Sequence, residues 1–392
     1  MFHTTTDRLA GALALLYALD RLWKFVALGH FFCRAAPAPP PVWPSVTLLC
    51  PLTHATHDLR QVLHARAMLA YPGPLACILI ADAADHATQA LVHEVMAAHP
   101  QWQARLLLVA PDAGAIASKI AKLQAALPVA EGTILCFVDD DVLLEPATLR
   151  TLVPYVLQPT TGAAFGLANY SAYHTLAESL LSGFVNTNAL LSYVPLAYLV
   201  EPFTITGHCF VLRQEVFRAI GGLEGMAGRI DDDHELARRV RRAGMRNVQT
   251  PLIYRVENRL ATLTDYQRQM QRWFVIPRQT MLPALGRRER SAMLLGSLGA
   301  LLPPLLGLLA LMTRRRAPCR AFVLSLAVAC ASQAWLEHAY LPQRTPLHRW
   351  WLMPVLFLFT PLHTLVATMG SATIWWRGQW LRLARGGAFE IL

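Results

Sequence analysis

Lysine is nearly missing from this chain: of 35 basic residues only Lys24, Lys119 and Lys122 are not arginine. Charge of either sign is scarce too, at 15% of 392 residues against 54% hydrophobic, which is more apolar than an ordinary soluble domain. Part of the chain is therefore expected to sit in lipid. The formal net charge of +10 suits anionic membrane surfaces and phosphate-bearing ligands, although a G+C-rich genome produces the same arginine bias. Nucleic acid is not the expected partner, because the arginines flank apolar spans and one helix without interleaved aromatics. The seven cysteines show no CxxC spacing and mostly lie in apolar runs, which excludes a zinc or disulfide framework and fits reduced packing residues on the cytoplasmic side of a membrane. No small-residue cleavage site follows the first apolar stretch, so a retained anchor is expected over residues 1–35. Internal repeats are absent, and the low-complexity tract is a Pro-rich linker at 36–44, APAPPPVWP from Ala36, which cannot continue a helix.

What is present falls into blocks. The anchor stretch Leu9 to Cys33 carries Asp20, Arg21, Lys24 and His30, so it reads as a tilted anchor rather than a clean span. Residues 45–260 alternate short apolar runs (VTLLC, LACILIA, ARLLLVA, TILCFV) with helical patterns, an order that predicts βαβαβαβ and a mainly parallel sheet flanked by helices. Such sheets collect ligands at the carboxyl ends of their strands, where Asp82, Asp85, Asp112 and the run Asp139, Asp140, Asp141 stand. Residues 261–290 contain LTDYQRQMQRWFV, whose Leu263, Tyr266, Met270, Trp273 and Phe274 follow helical spacing and predict an interfacial amphipathic helix. Within 291–371, Leu294 to Met312, Ala321 to Leu341 and Trp350 to Met369 have membrane length, and 372–392 reads as a basic tail.

Three clusters carry chemistry. Like charges at the end of a buried strand repel unless a cation sits among them, and oxygen-only ligands favour Mg²⁺ or Mn²⁺. In extended backbone Asp139 and Asp141 would point one way and Asp140 the other; a solvated acidic turn or a helix cap at Asp141 explains the same residues. Asp231, Asp232 and Asp233 open a helix that ends at Gly244, where carboxylates ordinarily cap and complement the dipole. The preceding Thr206-Gly207 and LEGMAGRI instead suit a loop that delivers a carboxylate to a bound acceptor as general base. Gln269, Arg272 and Trp273 share one helix edge, where an arginine fork can grip phosphate; an interfacial helix with Arg and Trp at the headgroups has the same spacing.

In order, CPL at Cys50, ADAAD at Ala81, SKIAKL with Lys119, VDDDV, TGHCF, DDDHEL, QMQRW and the closing TIWWRGQWLRLARGGAFEIL resemble the GT-A-fold glycosyltransferases of family 2 type. Within them the chain resembles the ceramide glucosyltransferases and their bacterial relatives that glycosylate hopanoid lipids. The resemblance implies an α/β GT-A domain with an N-terminal anchor and C-terminal transmembrane helices. It also implies an integral protein of the bacterial inner membrane, with its catalytic domain cytoplasmic and no obligatory protein partner. Asp82 and Asp85 are then expected near uridine, Lys119 near the nucleotide, and Asp139 with Asp141 at Mn²⁺ or Mg²⁺. Asp233 is expected as the base, and Arg272 with Trp273 at the pyrophosphate in the motif that Gln269 begins. Pro51, Asp140 and Asp232 complete the nucleotide-sugar side. Asp232-Asp233 stands where the family carries Glu-Asp, and Cys50 to His54 and Ala117-Ser118 depart from it.

The implied activity is inverting transfer of a hexose, glucose from UDP-glucose, to the primary hydroxyl of ceramide; N-acetylglucosamine or another sugar on a hopanoid or diacylglycerol is the alternative. A polymer synthase needs more spans, and a silent nucleotide-binding scaffold would not retain every acidic motif. Arg314, Arg315, Arg316 and Arg320 oppose the positive-inside tendency if Leu294 to Met312 spans. Pro303-Pro304 suggests that this segment breaks and re-enters.

Overall fold

The computed structural model describes residues 5–53, 58–110, 118–227, 229–376 and 378–392. A long helix α1 (Thr5–Cys33) leads through the proline linker into β1 (Val46–Pro51), α2 (Leu59–Ala67), β2 (Leu75–Asp82), α3 (His86–Ala98), β3 (Ala104–Val109), α4 (Ser118–Ala126) and β4 (Ile134–Val138). There follow β5 (Val142–Leu143), α5 (Thr148–Val156), β6 (Thr161–Tyr170), α6 (Leu176–Asn188), a π-helical turn (Ala189–Tyr193), α7 (Val194–Leu199), β7 (Cys209–Arg213), α8 (Gln214–Ala219), α9 (Asp232–Arg242) and β8 (Arg246–Val256). The order β3-β2-β1-β4-β7-β6-β8-β5 makes one eight-stranded sheet. Its first four strands are parallel, as the alternation predicts. From β7 onward the sheet is mixed: β7 runs antiparallel to both β4 and β6, and β6 is again parallel to β8. The strand-length runs beyond Val138 are too varied for periodicity to have given those directions.

Strands β1 and β4 are buried along their whole length, the pattern of strands covered on both faces. Alternation sends Leu48 and Cys50 into one core with Leu63, Val92, Leu152, Leu181 and Met270. Leu49 enters the other with Ile120, Leu123, Leu236 and Val240. Each such side chain stabilises the fold by roughly 1.5–3 kcal/mol. The two layers hold the ends of β1, β2 and β4 rigidly side by side.

The eight-stranded sheet is followed by α10 (Leu263–Gln279), α11 (Met281–Ala284), α12 (Arg287–Thr313), α13 (Arg316–Tyr340), α14 (Leu352–Met369) and the strands β9 (Thr373–Trp376), β10 (Gln379–Leu383) and β11 (Phe389–Ile391). Among the described residues α12 and α13 are long and apolar enough to cross a membrane, whereas the apolar stretch of α14, Leu352–His363, is shorter. Exposed leucines line α12 at 294, 295, 298, 301, 305 and 308, a surface that water does not tolerate. Of the two arrangements open to this segment, spanning or broken at Pro303-Pro304, α12 shows no break: it runs through both prolines and ends at Arg314 in the left-handed region. It is α14 that stays on the sheet domain. Met353 and Leu356 press on α6 so closely that a Cβ at Gly183 would stand 2.8 and 2.6 Å from them. Tyr266 of α10 meets His363, and Arg278 donates to the Gly370 carbonyl at 2.8 Å.

The charges inside α1 are explained by its packing. Lys24, 2% exposed, donates to the Gly296 carbonyl of α12 at 2.8 Å and pairs with Asp20 at 3.1 Å. Removing one partner of such a buried pair typically costs about 3–5 kcal/mol. The opposite end of α1 is tied to the turn between α12 and α13 by Asp7 and Arg315. The expected basic tail is instead a three-stranded antiparallel sheet, packed on α10 through Val275, Ile374, Leu381 and Leu383.

Candidate active site

The acidic run leaves β4 as a turn, closed by the Val142 amide donating to the Asp139 carbonyl at 3.3 Å, and not as extended strand. The turn still separates the carboxylates. Lys119 of α4 stands 2.8 Å from Asp139 and 3.3 Å from Asp232, so it joins the two acidic motifs. Asp140 is held against the end of β1 by the Thr53 amide at 2.7 Å and by the Thr53 hydroxyl. Asp141 has a buried Oδ1 with no hydrogen-bond partner among the described residues, and burial beside Asp139 and Asp140 raises its pKa well above the usual carboxylate range. Burial raises Asp139 as well, against the pull of Lys119. Beneath the turn lies Arg66, 1% exposed, which donates to the Asp139 carbonyl at 2.5 Å.

At the neighbouring strand ends, Asp82 receives Lys122 at 2.8 Å, and the same ammonium donates to the Leu52 carbonyl, one residue past Pro51. Lys122 and Arg66 were not expected. Lys122 was legible in principle, since it lies one helical turn from Lys119 on the same face of α4. Asp85 is the N-cap of α3, accepting from the Thr88 amide at 3.0 Å and hydroxyl at 2.7 Å, a role that spacing alone suggests for any aspartate there. Asp112, His54 and Ala117 lie outside the described residues.

Across the cleft, α9 presents the third motif. Gly207 lies so near Asp233 that a Cβ there would stand 3.1 Å from its Oδ2. Asp233 accepts the His234 amide at 2.7 Å, and burial, with Asp232 as the next contributor, pushes its pKa up to about 7 against the opposing Lys119. Asp231 takes no part in that pair. It is 2% exposed and held by Arg229 at 2.9 and 3.1 Å, which makes it a structural anchor for the loop.

His208 of the TGHCF run is a further residue outside the expected set. Its Nε2 lies 3.0 Å from the Tyr170 hydroxyl, and burial, then Lys119 and Arg272, depress its pKa to about 4, so it is neutral. Tyr170 meets Trp273 edge-on at 6.0 Å, which links the sheet to α10.

On α10, Arg272 donates to Gln269 at 2.9 Å and lies 5.7 Å from the Trp376 ring centroid. These three residues, with Arg259, Arg268 and Trp375, line a recess of about 280 Å³. Trp273 departs from that edge: it stacks on Phe184 at 6.2 Å and packs on the domain core. Adjacent helix positions point about 100° apart, so Arg272 and Trp273 do different work. The tryptophans of β9 were not expected here, although the alternating TIWW and QWLRL runs are strand-like.

A sequence profile described as glycosyl transferase family 21 matches residues 8–389. The chain belongs to glycosyl transferase family 21. That profile includes the N-terminal helix, the sheet, both apolar helices and all but the last residues of the closing sheet. Among solved structures, the family 21 chain is similar to the mannosyltransferase PcManGT from Pyrobaculum calidifontis in complex with GDP-Man and Mn²⁺, at 18% identity and a TM-score of 0.55, covering 92% of this chain and 99% of that one. The likeness is one of fold, a GT-A glycosyltransferase with added helices. A crystal structure of a mycobacterial protein aligns at 14% identity over 59% of this chain and 73% of that one, with a TM-score of 0.35, too low to bear on the fold.

The carboxylates of the acidic run form an oxygen-only donor set, of the kind that suits Mg²⁺ or Mn²⁺. No group of three His, Cys, Asp or Glu capable of holding a metal occurs among the described residues. Mg²⁺ and Mn²⁺ sites in phosphate chemistry ordinarily use one or two carboxylates and complete their shell with phosphate oxygen and water. Asp141 keeps a buried Oδ1 with no hydrogen-bond partner among the described residues, an oxygen that fits such a ligand position, and Asp139 stands two residues before it in sequence.

Proposed function

We propose that this glycosyltransferase moves a hexose, glucose from UDP-glucose, to the primary hydroxyl of ceramide or a closely similar membrane lipid, with inversion at the anomeric carbon. The observation that carries the reading is Asp233, a carboxylate whose pKa is raised to about 7 by burial, beside the Lys119 and Asp232 pair on the cleft side of the sheet. A general base works best with a pKa near the working pH. In this mechanism Asp233 accepts the hydroxyl proton as the acceptor oxygen attacks, and no covalent enzyme intermediate forms. Arg272, oriented by Gln269 and Trp376, receives the departing diphosphate, and Lys119 keeps Asp139 and Asp232 from repelling it. Asp82 with Lys122, and Pro51 behind them, form the wall for the nucleobase. Neutral His208 donates or accepts a hydrogen bond without adding charge. Asp141 and Asp139 would hold Mn²⁺ or Mg²⁺, which would offset charge on the leaving group.

The membrane arrangement proposed is a crossing hairpin of α12 and α13, with α1 beside it and α14 lying along α6 and α10. It leaves Arg314 to Arg316 on the face remote from the catalytic domain and returns the closing sheet to the active site.

Purified protein in detergent, offered UDP-glucose, UDP-galactose, UDP-N-acetylglucosamine and GDP-mannose against ceramide, diacylglycerol and a hopanoid polyol with Mn²⁺, tests the reading. Glycosylceramide formation from UDP-glucose is the expected result. Transfer only from GDP-mannose would move the donor assignment towards the chemistry of the Pyrobaculum protein. Nucleotide diphosphate release with no lipid product would overturn the acceptor assignment.

A further inference from the structure

A groove of about 840 Å³ runs between α1, α12 and α7, outside the cleft just described. Its walls are aliphatic, including Leu19 and Val26 of α1 and Leu295, Leu298 and Leu302 of α12. One charged side chain, Asp20, lines it, and that carboxylate is neutralised by Arg21 at 2.6 Å and Lys24 at 3.1 Å. At the end nearest the catalytic domain stand His30 and Tyr198, hydrogen-bonded at 2.6 Å. The neighbouring Arg34 is engaged by the Gln249 carbonyl at 2.6 Å and the Phe31 ring at 4.5 Å. The mouth therefore offers a neutral hydroxyl and an imidazole, partners for hydroxyl or amide headgroups rather than for phosphate.

Tyr198 belongs to the helix that begins at the π-helical turn. Single π-turns within α-helices commonly mark functional positions, because the extra residue re-aims the side chains of the next helical turn. Here the turn ends at Tyr193, whose ring is 51% exposed. Tyr193 is thus half open to the surroundings at the start of the helix that carries Tyr198. Tyr193 and Tyr198 are separated by about 7 Å along a helix axis. The groove runs from the exposed leucines of α12 to the Tyr198 hydroxyl on the helix that follows the π-turn.

We infer that the groove between α1 and α12 holds one aliphatic chain of the acceptor lipid, with the Tyr198 hydroxyl and His30 imidazole at its headgroup end. This rests on the lipid-acceptor reading above. A phospholipid headgroup would find no cation free of partners among the described residues at this mouth, whereas a hydroxyl- or amide-bearing headgroup finds the Tyr198 hydroxyl and the His30 imidazole.

The test is to fill the groove. Leu298→Trp and, separately, Leu19→Trp are compared with wild type for transfer to N-palmitoyl sphingosine and to a short-chain ceramide, with UDP-glucose affinity and melting temperature as folding controls. At least a tenfold rise in KM for the long-chain acceptor, with the short-chain acceptor and UDP-glucose Kd little changed, is expected; Leu298→Ile should restore wild-type behaviour. An unchanged long-chain KM in both well-folded tryptophan variants would overturn the groove. If wild type glycosylates no lipid at all, the acceptor reading fails separately. The groove is then judged by photolabelling with a diazirine-tailed ceramide: labelled peptides from α1 and α12 that Leu298→Trp suppresses sustain it, and their absence sinks it.

Discussion

The ammonium of Lys119 lies 2.8 Å from the carboxylate of Asp139. Burial alone would penalise both charges, yet the nearby carboxylates raise the Lys119 pKa, so the lysine stays protonated throughout the working range. It is a fixed cation in an acidic cleft.

Replacing Lys119 by Gln removes that cation and leaves Asp139 and Asp232 facing one another. UDP binding, measured by calorimetry in the presence of Mn²⁺, is expected to weaken at least tenfold. Affinity within twofold of wild type would remove Lys119 from the donor site.

Asp233→Asn should lower turnover by about a thousandfold or more, in line with losing a general base and its charge, while UDP-glucose Kd stays within about threefold. In wild type the base must be ionised, so kcat/KM should rise with pH and level off above about 7, the value to which burial lifts this carboxyl. A flat profile from pH 5 to 8 would assign the proton to another group.

The same carboxyl has a signature in stability. Its folded pKa is raised, so its contribution to stability is fully present below the unfolded aspartate value of about 3.9 and is lost as pH rises through about 7. Without metal or donor, Asp233→Asn should therefore melt at a higher temperature than wild type, by a margin that widens from pH 5 to 8. Taking the difference between variants cancels the opposing effect of His208 and His234, both depressed to about 4 by burial. A margin that shrinks with pH would contradict the assignment.

How much of this was legible? The parallel half of the sheet was, because β1, β2 and β4 are continuous apolar runs, two of which, β2 and β4, stop at aspartates. The acidic clusters were found for the same reason: carboxylates beside buried strands are costly and stand out. Lys122 and Arg66 escaped because each acts through a tertiary contact, Lys122 with Asp82 and Arg66 with the Asp139 carbonyl. The direction of β7, the burial of Asp231 by Arg229, and the docking of α14 on α6 depend on partners far away in sequence, which periodicity does not encode.

Arg66 offers a test of indirect positioning. Charge-assisted hydrogen bonds contribute about 1.5–3 kcal/mol, but desolvating a buried guanidinium offsets much of that. Arg66→Met should change the melting temperature little and raise the Mn²⁺ concentration needed for half-maximal activity severalfold, because the turn that carries Asp141 loses its support. An unchanged Mn²⁺ requirement would reduce Arg66 to a packing residue.

Topology is testable with one cysteine. In a background where Cys33, Cys319 and Cys330 are serine, Arg316→Cys should react with an impermeant maleimide added on the side opposite the catalytic domain. Labelling only after the membrane is opened would exclude the α12 and α13 hairpin.

Arg278 and Gln271 of α10 reach the Gly370 and Thr373 carbonyls, and Arg229 bridges to Ala388, so the closing sheet is held both by α10 and by the segment before α9. In chain order it comes after both apolar helices. During synthesis the GT-A domain emerges first, with its Arg272 recess uncovered, and the tryptophans of β9 arrive only after α12 and α13 have been made. The Arg272 recess is thus completed by the last segment of the chain to be made, after both apolar helices.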